Sequence, residues 1–552
     1  MTKKQTTIIT VLTIIAIILG ILVSGRFWFR FDLTKNKAYT ISRISRDLHK
    51  ELLEPVNITY YISDKLKTAE YNFREIEDTL REYVAYSRGK IHLFIKDPVK
   101  SELTMMVEGY GIQPRQLPIL ERDQASLITV YSGIVIEYLD RVEVLYWVDS
   151  INTLEYSLTT RINSMIMNTE RWIGVIVGDE YRQWNEDFGY LNMLLFEAGY
   201  RVRLISPGDE IPDNIPGLFV LGGVEDLDEW ALYRIDRYIQ LGGNVFFAVK
   251  GVFVDTIYSS LEAREQINLG LLDMIASYGV AIRQVLVLDR NALVMQFPSR
   301  TPEGSMLRRV NYPLWIGVTG DSGNKDHPVS AGFAGLDLYW ASPLELVYTP
   351  SVESKPLFSS SAQAWLMRNA FYTNPGIPHF LEIEAPDTMG VKTLGASLTG
   401  VFPSFFRGNE KPFRDFSTEE LPDIPEQGKP SRIIVVGDVD FATNLIVHTQ
   451  EILSFSQPGP NLDFLLRVAD YITNDDYAIK LRNRQPQTGR FDKITSSERK
   501  TSAENFSKII NVGIIPFLVI ITGLILAILR RRRSERDDQT TASVVKENSD
   551  DL

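Results

Sequence analysis

The chain has 552 residues, 44 % of them hydrophobic and 23 % charged, with 70 acidic against 58 basic side chains and a formal net charge of −12. That length supports two or three domains with proper cores, and the acidic balance, with no large basic block outside a C-terminal run of arginines, argues against a nucleic-acid-binding body. The chain has no cysteine, which excludes disulfides, thiolate zinc sites, iron–sulfur clusters and cysteine nucleophiles.

Residues 6–25 form an uncharged run preceded by Lys3 and Lys4. The run is longer than the apolar core of a signal peptide. Arg26, Phe27, Trp28 and Phe29 follow it where a small-residue cleavage site would stand. Residues 1–30 are therefore expected to be a short cytoplasmic N-terminus and a retained transmembrane helix.

Residues 31–150 read as an α/β domain. Ser42 is a good N-cap for a helix that Pro55 stops. Residues 56–62 alternate β-branched and aromatic side chains and predict a strand. Phe73, Ile76, Leu80, Tyr83 and Val84 share one face of a helix over 71–87. Strands at 90–96, 130–139 and 142–148 and a short helix ending near Gly109 complete a β-α-β-α-β-β order, that of a thioredoxin-like layer. The redox Cys pair is absent, so such a domain would be a scaffold or a binder.

A helix over 154–167 leads into a second pattern. Residues 172–177 are a near-continuous apolar run, suited to a parallel strand buried on both faces. Further strands are expected at 201–205, 217–221, 244–249 and 280–288, with helices at 190–197, 226–241 and 261–278. The alternation over 151–288 predicts a doubly wound sheet of flavodoxin-like or amidotransferase-like kind. Residues 289–430 break the rhythm with Pro, Gly, Ser and aromatics. They read as a β-rich insertion with a mobile stretch at 402–429. The α/β pattern returns over 431–483, with a strand at 432–436 and a helix at 462–472.

Residues 484–508 read as a polar linker, and 509–530 as a second transmembrane helix. Arg530, Arg531, Arg532, Arg533 and Arg536 mark its cytoplasmic end. The tail, 531–552, is expected to be cytoplasmic, and its polar, acidic part, 535–552, to be disordered. Two spans place both termini in the cytoplasm and roughly 480 residues on the far side. A large cysteine-free extracytoplasmic body suits a bacterial periplasm and an inner-membrane protein.

Several stretches together resemble the GldG family, auxiliary membrane proteins of bacterial ABC transporters first tied to gliding motility. They are Phe31-Asp32-Leu33-Thr34 with Tyr39-Thr40-Ile41-Ser42, Glu121-Arg122-Asp123-Gln124 before Tyr131-Ser132-Gly133, Leu154-Glu155-Tyr156-Ser157-Leu158-Thr159, Ile239-Gln240-Leu241-Gly242-Gly243, Tyr278-Gly279-Val280, and Ser431 through Phe441. Where such proteins often carry Gly-His-Gly-Glu after the first buried strand, this chain reads Gly178-Asp179-Glu180, without the histidine. The resemblance implies an ABC-2-type permease and a cytoplasmic ATPase as partners, and does not name the cargo.

The chain carries no phosphate loop of its own: no Gly-x-x-x-x-Gly-Lys-Ser/Thr occurs. Gly317 to Lys325 is Gly-rich but reads as a surface turn. The turn Leu221-Gly222-Gly223-Val224, where an amidotransferase-like layer carries its nucleophile, has no Cys or Ser. No Gly-x-Ser-x-Gly elbow is present. His49, His92, His327, His379 and His448 are scattered without metal-ligand spacing. No metal or cofactor is expected. The remaining candidates are carboxylates beyond buried strands, where open α/β sheets bind ligands: Asp438 and Asp440 after the last strand, Asp179 and Glu180 after the first. Two such groups could hold a cation or sugar hydroxyls. Equally, Asp438 would cap the next element and Asp440 would be solvated. The leading expectation is a non-catalytic, lipid-embedded auxiliary subunit whose ectodomain binds a substrate or envelope partner. An envelope hydrolase and a stand-alone tethered scaffold are the competing readings.

Overall fold

In the computed structural model, residues 40–69, 72–121, 124–256, 261–301, 304–375, 386–413, 420–450 and 458–483 are described, with the single positions Phe517 and Ile521. Both apolar runs read as membrane spans, the linker and the tail otherwise lie outside them. Among the described residues no helix is long and apolar enough to cross a membrane.

The first sheet is built as its periodicity predicts. Ser42 caps helix α1, Arg43–Glu51, its side chain accepting the Ser45 N–H at 3.0 Å. Strand β1, Val56–Ile62, pairs parallel with β2, Ile91–Lys96, and antiparallel with β5, Ser132–Tyr138, which pairs antiparallel with β6, Arg141–Leu145. The resulting order β2-β1-β5-β6 follows from the β-α-β-α-β-β reading. Helix α3, Asn72–Ala85, after the short α2, Asp64–Ala69, buries Phe73, Ile76, Leu80 and Tyr83 against it. One hairpin was not anticipated: β3, Arg115–Glu121, with β4, Gln124–Val130, beyond helix α4, Thr104–Gly109. Helix α5, Leu154–Met167, returns to this sheet. Its Glu155 accepts the Ser42 N–H at 2.7 Å and the Ser45 hydroxyl at 2.6 Å.

The second sheet has seven strands. Its parallel part contains β7, Trp172–Val177; β8, Arg201–Leu204; β9, Gly217–Leu221; β10, Asn244–Ala248; and β22, Ser431–Val436. In space they run β22-β10-β9-β7-β8. The chain steps outward from β7 to β8, then crosses back to start β9 on the other side of β7, so the order reverses between β7 and β9. That is where open α/β sheets bind ligands. Alternate residues enter two cores. Phe219, Leu221, Phe246 and Ala248 face helices α7, Gly189–Glu197, and α10, Pro460–Ile472; Leu218, Val220, Val245 and Phe247 face α8, Glu229–Gln240, and α9, Gly270–Tyr278. Burial on both faces explains the unbroken apolar runs.

Four expectations change. The helix expected over 261–278 begins at Gly270, where the Asn268 side chain accepts the Gly270 N–H at 3.1 Å. The preceding Ala263–Glu265, β12, pairs instead with Val252–Val254, β11. The strand expected over 280–288 is two short ones, Val280–Ile282 and Leu286–Asp289, with separate antiparallel partners, Leu344–Leu346 and Ala364–Met367. The region read as an insertion is β-rich, with a long hairpin of Ala292–Thr301 and Gly304–Thr319, but it is not apart from the main sheet. Thr393–Gly400 pairs antiparallel with β22, and Val352–Ser359 pairs with it in turn and forms the edge, where Pro356 is tolerated. Within 402–429, Phe402, Phe406 and Leu421 are buried, and Tyr233 donates to the Pro422 carbonyl at 3.1 Å, so this part lies packed on α8.

Candidate functional site at the sheet switch point

Register places the site. Val177 pairs with Leu221, Leu221 with Ala248, and Ala248 with Val436, so four strands end in one row. Gly178, Gly222, Val249 and Gly437 follow immediately, and the side chains just beyond them meet.

Arg182 bridges two loops. Its Nε is 3.0 Å from Asp179 Oδ2 and its Nη2 is 2.5 Å from Asp440 Oδ1. Lys250, directly after the β10 run, is 7 % exposed; its ammonium pairs with Asp440 Oδ2, lies 4.0 Å from Asp438 Oδ1 and sits over the Trp340 ring. Asp438 is fully buried. Its oxygens accept the Tyr339 and Asp440 N–H groups, both at 2.7 Å. Asp179 Oδ1 accepts the Gly223 N–H at 2.6 Å. Three carboxylates thus share two cations in a site almost without water.

The titration of these groups follows from that count. Burial pushes Asp438 up to about 7, against the pull of Lys250 and with the push of Asp440. Burial also raises Asp440, but Lys250 and Arg182 outweigh it and hold this carboxyl below its usual range. Asp179 is raised by burial, partly offset by Arg182 and the Gly223 N–H. With Asp438 protonated the network is neutral, two carboxylates against two cations. Between pH 3.8 and about 7 the folded chain keeps a proton on Asp438 that the unfolded chain has released, so this group makes stability fall as pH rises through that window. Asp438→Asn is expected to unfold at a lower temperature, because its amide N–H₂ opposes one of the two backbone donors. Its thermal midpoint should also fall less between pH 5 and 8 than that of the parent. A parallel slope in the two proteins would remove Asp438 as the titrating group.

The glycines are required here. Gly222 adopts φ +73°, and a Cβ on it would lie 2.2 Å from Asp179 Oδ2. Gly222→Ala is therefore expected to lose at least about 1 kcal/mol from the left-handed backbone alone, with more from displacing Asp179. An unchanged urea midpoint would contradict this.

Of the four carboxylates singled out in the sequence, Asp179, Asp438 and Asp440 are brought together. Glu180 is exposed; its backbone N–H donates to Asp226 Oδ2 at 2.9 Å. Only Asp179 of the four lines the small cavity above the switch point, about 90 Å³ in volume, alongside Tyr181, Asp226, Lys250, Phe253 and Gln266. Asp438 and Asp440 lie beneath it: Asp438 accepts the Asp440 N–H, as expected of a cap, but Asp440, expected to be solvated, is buried and paired with Arg182 and Lys250. The strap β11–β12 covers one side. Arg264 holds it by pairing with Glu225 at 2.5 Å and stacking on Phe253. Gln266 donates to the Lys250 carbonyl at 3.2 Å while its Oε1 is buried without a partner. Among the described residues no group of three His, Asp or Glu could hold a metal ion. The turn at Gly222-Gly223 presents backbone and no nucleophile. Arg182 and Lys250 were not found in the sequence; the one available signal was a charge directly after an unbroken buried strand.

A family described as an ABC-type uncharacterized transport system matches residues 170–468, and a domain of unknown function matches residues 35–137. An uncharacterized protein of Borreliella burgdorferi is 26 % identical over 514 residues, covering 91 % of this chain and 94 % of its own length. Among solved structures, the mmIFT52 N-terminal domain superposes with a TM-score of 0.32 at 13 % identity, over 55 % of this chain and 98 % of that one. A thua-like protein of Parabacteroides merdae superposes with a TM-score of 0.20 at 11 % identity, over 35 % and 70 %. The first match spans more than half of the chain and contains every strand of the switch point, and on that ground the chain belongs to the ABC-type uncharacterized transport system family.

Proposed function

We propose that the chain is a non-catalytic auxiliary subunit of an ABC-type transport complex, anchored in the bacterial inner membrane by its two apolar ends, with the described body on the periplasmic side. The family match is the observation that carries the reading. The uncharged runs at 6–25 and 509–529, with the arginines that follow the second, support the anchoring and its direction. The absence of a phosphate loop means that ATP hydrolysis would come from a separate ATPase, and the short apolar ends leave the conducting path to a permease, as the resemblance to the GldG family implies. A connection to gliding motility would follow from the same resemblance. In this reading the cavity over Asp179, Tyr181 and Lys250 is where the subunit takes a small polar ligand or the tip of an envelope partner. The carboxylates below it are already paired, so they order the floor and carry out no reaction.

Affinity purification of the full chain from detergent-solubilised membranes tests this directly. The expected result is recovery of one ATPase and one multi-span permease in fixed ratio. A protein that purifies alone from its native membrane, or a hydrolytic activity that is lost on Asp179→Asn, would overturn it.

A further inference from the structure

A second cavity lies far from the switch point, on the first sheet's body. It is a groove of about 560 Å³ between the outer face of α1 and the turn that enters β2. Arg43, Arg46, Lys50, Arg88 and Lys90 line it against one carboxylate, Asp47. In a chain with a net charge of −12 this concentration stands out.

Three of the five cations are held in place by neighbouring groups. Asp47 pairs with Lys50 at 2.6 Å. Lys90 donates to the Lys50 and Leu52 carbonyls at 3.0 and 2.8 Å, which closes the end of α1 onto β2 and fixes the groove's width. Arg46 lies over the Tyr86 ring, with its Nε on the Ser42 carbonyl. Arg43 and Arg88 are exposed and have no ion-pair partner among the described residues. Arg88 adopts φ +56°, a left-handed conformation that costs a non-glycine residue about 1 kcal/mol or more. His49 forms part of the lining. It is 2 % exposed, stands edge-on to Tyr83, and neither ring nitrogen makes a hydrogen bond of normal geometry, although the Tyr86 carbonyl is near.

We propose that this groove binds the phosphate headgroup of an anionic phospholipid. Two unpaired guanidinium groups suit a phosphate's oxygens, which they grip in a forked geometry, and the volume falls in the range of small-ligand sites. The choice of lipid over free phosphate rests on the membrane anchoring proposed above. Arg43 is only 18 residues beyond the apolar run that ends at Gly25, a tether of at most about 60 Å. A lead of that length lets the groove reach the headgroups, whose phosphates attract basic side chains within about a Debye length.

The test uses the full chain in a detergent of neutral headgroup. Short-chain phosphatidylglycerol should raise its thermal midpoint in a saturable way, while short-chain phosphatidylcholine and inorganic phosphate should not. Arg43→Glu with Arg88→Glu, both at exposed positions, should keep the ligand-free midpoint and weaken the apparent affinity by at least roughly 25-fold, from about fivefold per cation lost. An equal rise with the choline lipid, or an undiminished rise in the double variant, overturns the site. An equal rise with inorganic phosphate overturns the lipid assignment. Resistance of the chain to carbonate extraction from native membranes is measured separately, so that failure of the anchoring and failure of the groove are told apart.

Discussion

Lys250→Met is expected to lower the stability of the folded chain by about 3–5 kcal/mol, a large part of what a domain of ordinary stability possesses. The lysine is 93 % removed from solvent, its ammonium on Asp440 and near Asp438. Methionine fills similar volume and keeps contact with the Trp340 ring, so the loss is electrostatic and not a cavity. What remains is Arg182 alone against the Asp179 and Asp440 carboxylates, with Asp438 protonated. A buried ion pair adds little over an apolar replacement of both partners, but removing one partner strands a charge that water cannot reach. The sign of the pairing is therefore tested by a cycle. Lys250→Met with Asp440→Asn should recover part of the loss, since the stranded charge is gone, so the double variant should lose less than the sum of the two single changes. Equilibrium unfolding in urea reads all four proteins. A Lys250→Met midpoint within the error of the parent would show that the ammonium contributes nothing to the floor of the site.

The parts of this molecule that could be read from its sequence share a cause. Trp172–Val177 and Gly217–Leu221 are found at their predicted bounds because burial on both faces writes itself directly into the order of residues. Asp179, Asp438 and Asp440 could be picked out because their position after a buried strand is a local property. Arg182 and Lys250 could not, since a lone cation has no spacing signature and its partners are set by register between strands more than sixty residues apart. The β3–β4 hairpin escaped for a different reason. Glu121, Arg122, Asp123 and Gln124 mark a polar turn, but Pro118 argues against a strand. The antiparallel edge strands Val352–Ser359 and Thr393–Gly400 have ordinary alternation. Nothing local distinguishes joining the main sheet from forming a separate one.

At the opposite, N-terminal ends of the parallel strands a second buried network is expected to matter as much. Asp470, on α10, is wholly buried and takes four donors: Tyr156 and Tyr200 hydroxyls at 2.7 and 2.6 Å, Arg171 at 3.1 Å and Arg482 at 2.7 Å. These come from α5, the approach to β7, the start of β8 and the last described helix, Asp476–Arg482, so one carboxylate ties the helix that leaves the first sheet to the second. Burial would raise its pKa, but Arg482 and Arg171 outweigh that and hold it below the usual carboxylate range. A depressed folded pKa contributes stability that is present above the unfolded value of 3.8 and is lost as pH falls below it. Asp470→Asn should accordingly cost about 3–5 kcal/mol at neutral pH, moderated by Asp475 at 3.0 Å from Arg171 and Asp463 at 3.7 Å from Arg482. The difference between parent and variant should shrink as pH falls below 3.8, because the unfolded parent then takes up a proton that the folded carboxylate refuses. Thermal midpoints of both proteins from pH 3 to 8 measure this. A constant gap across that range would mean that Asp470 acts through its shape and its tyrosine partners, with the two arginines satisfied elsewhere.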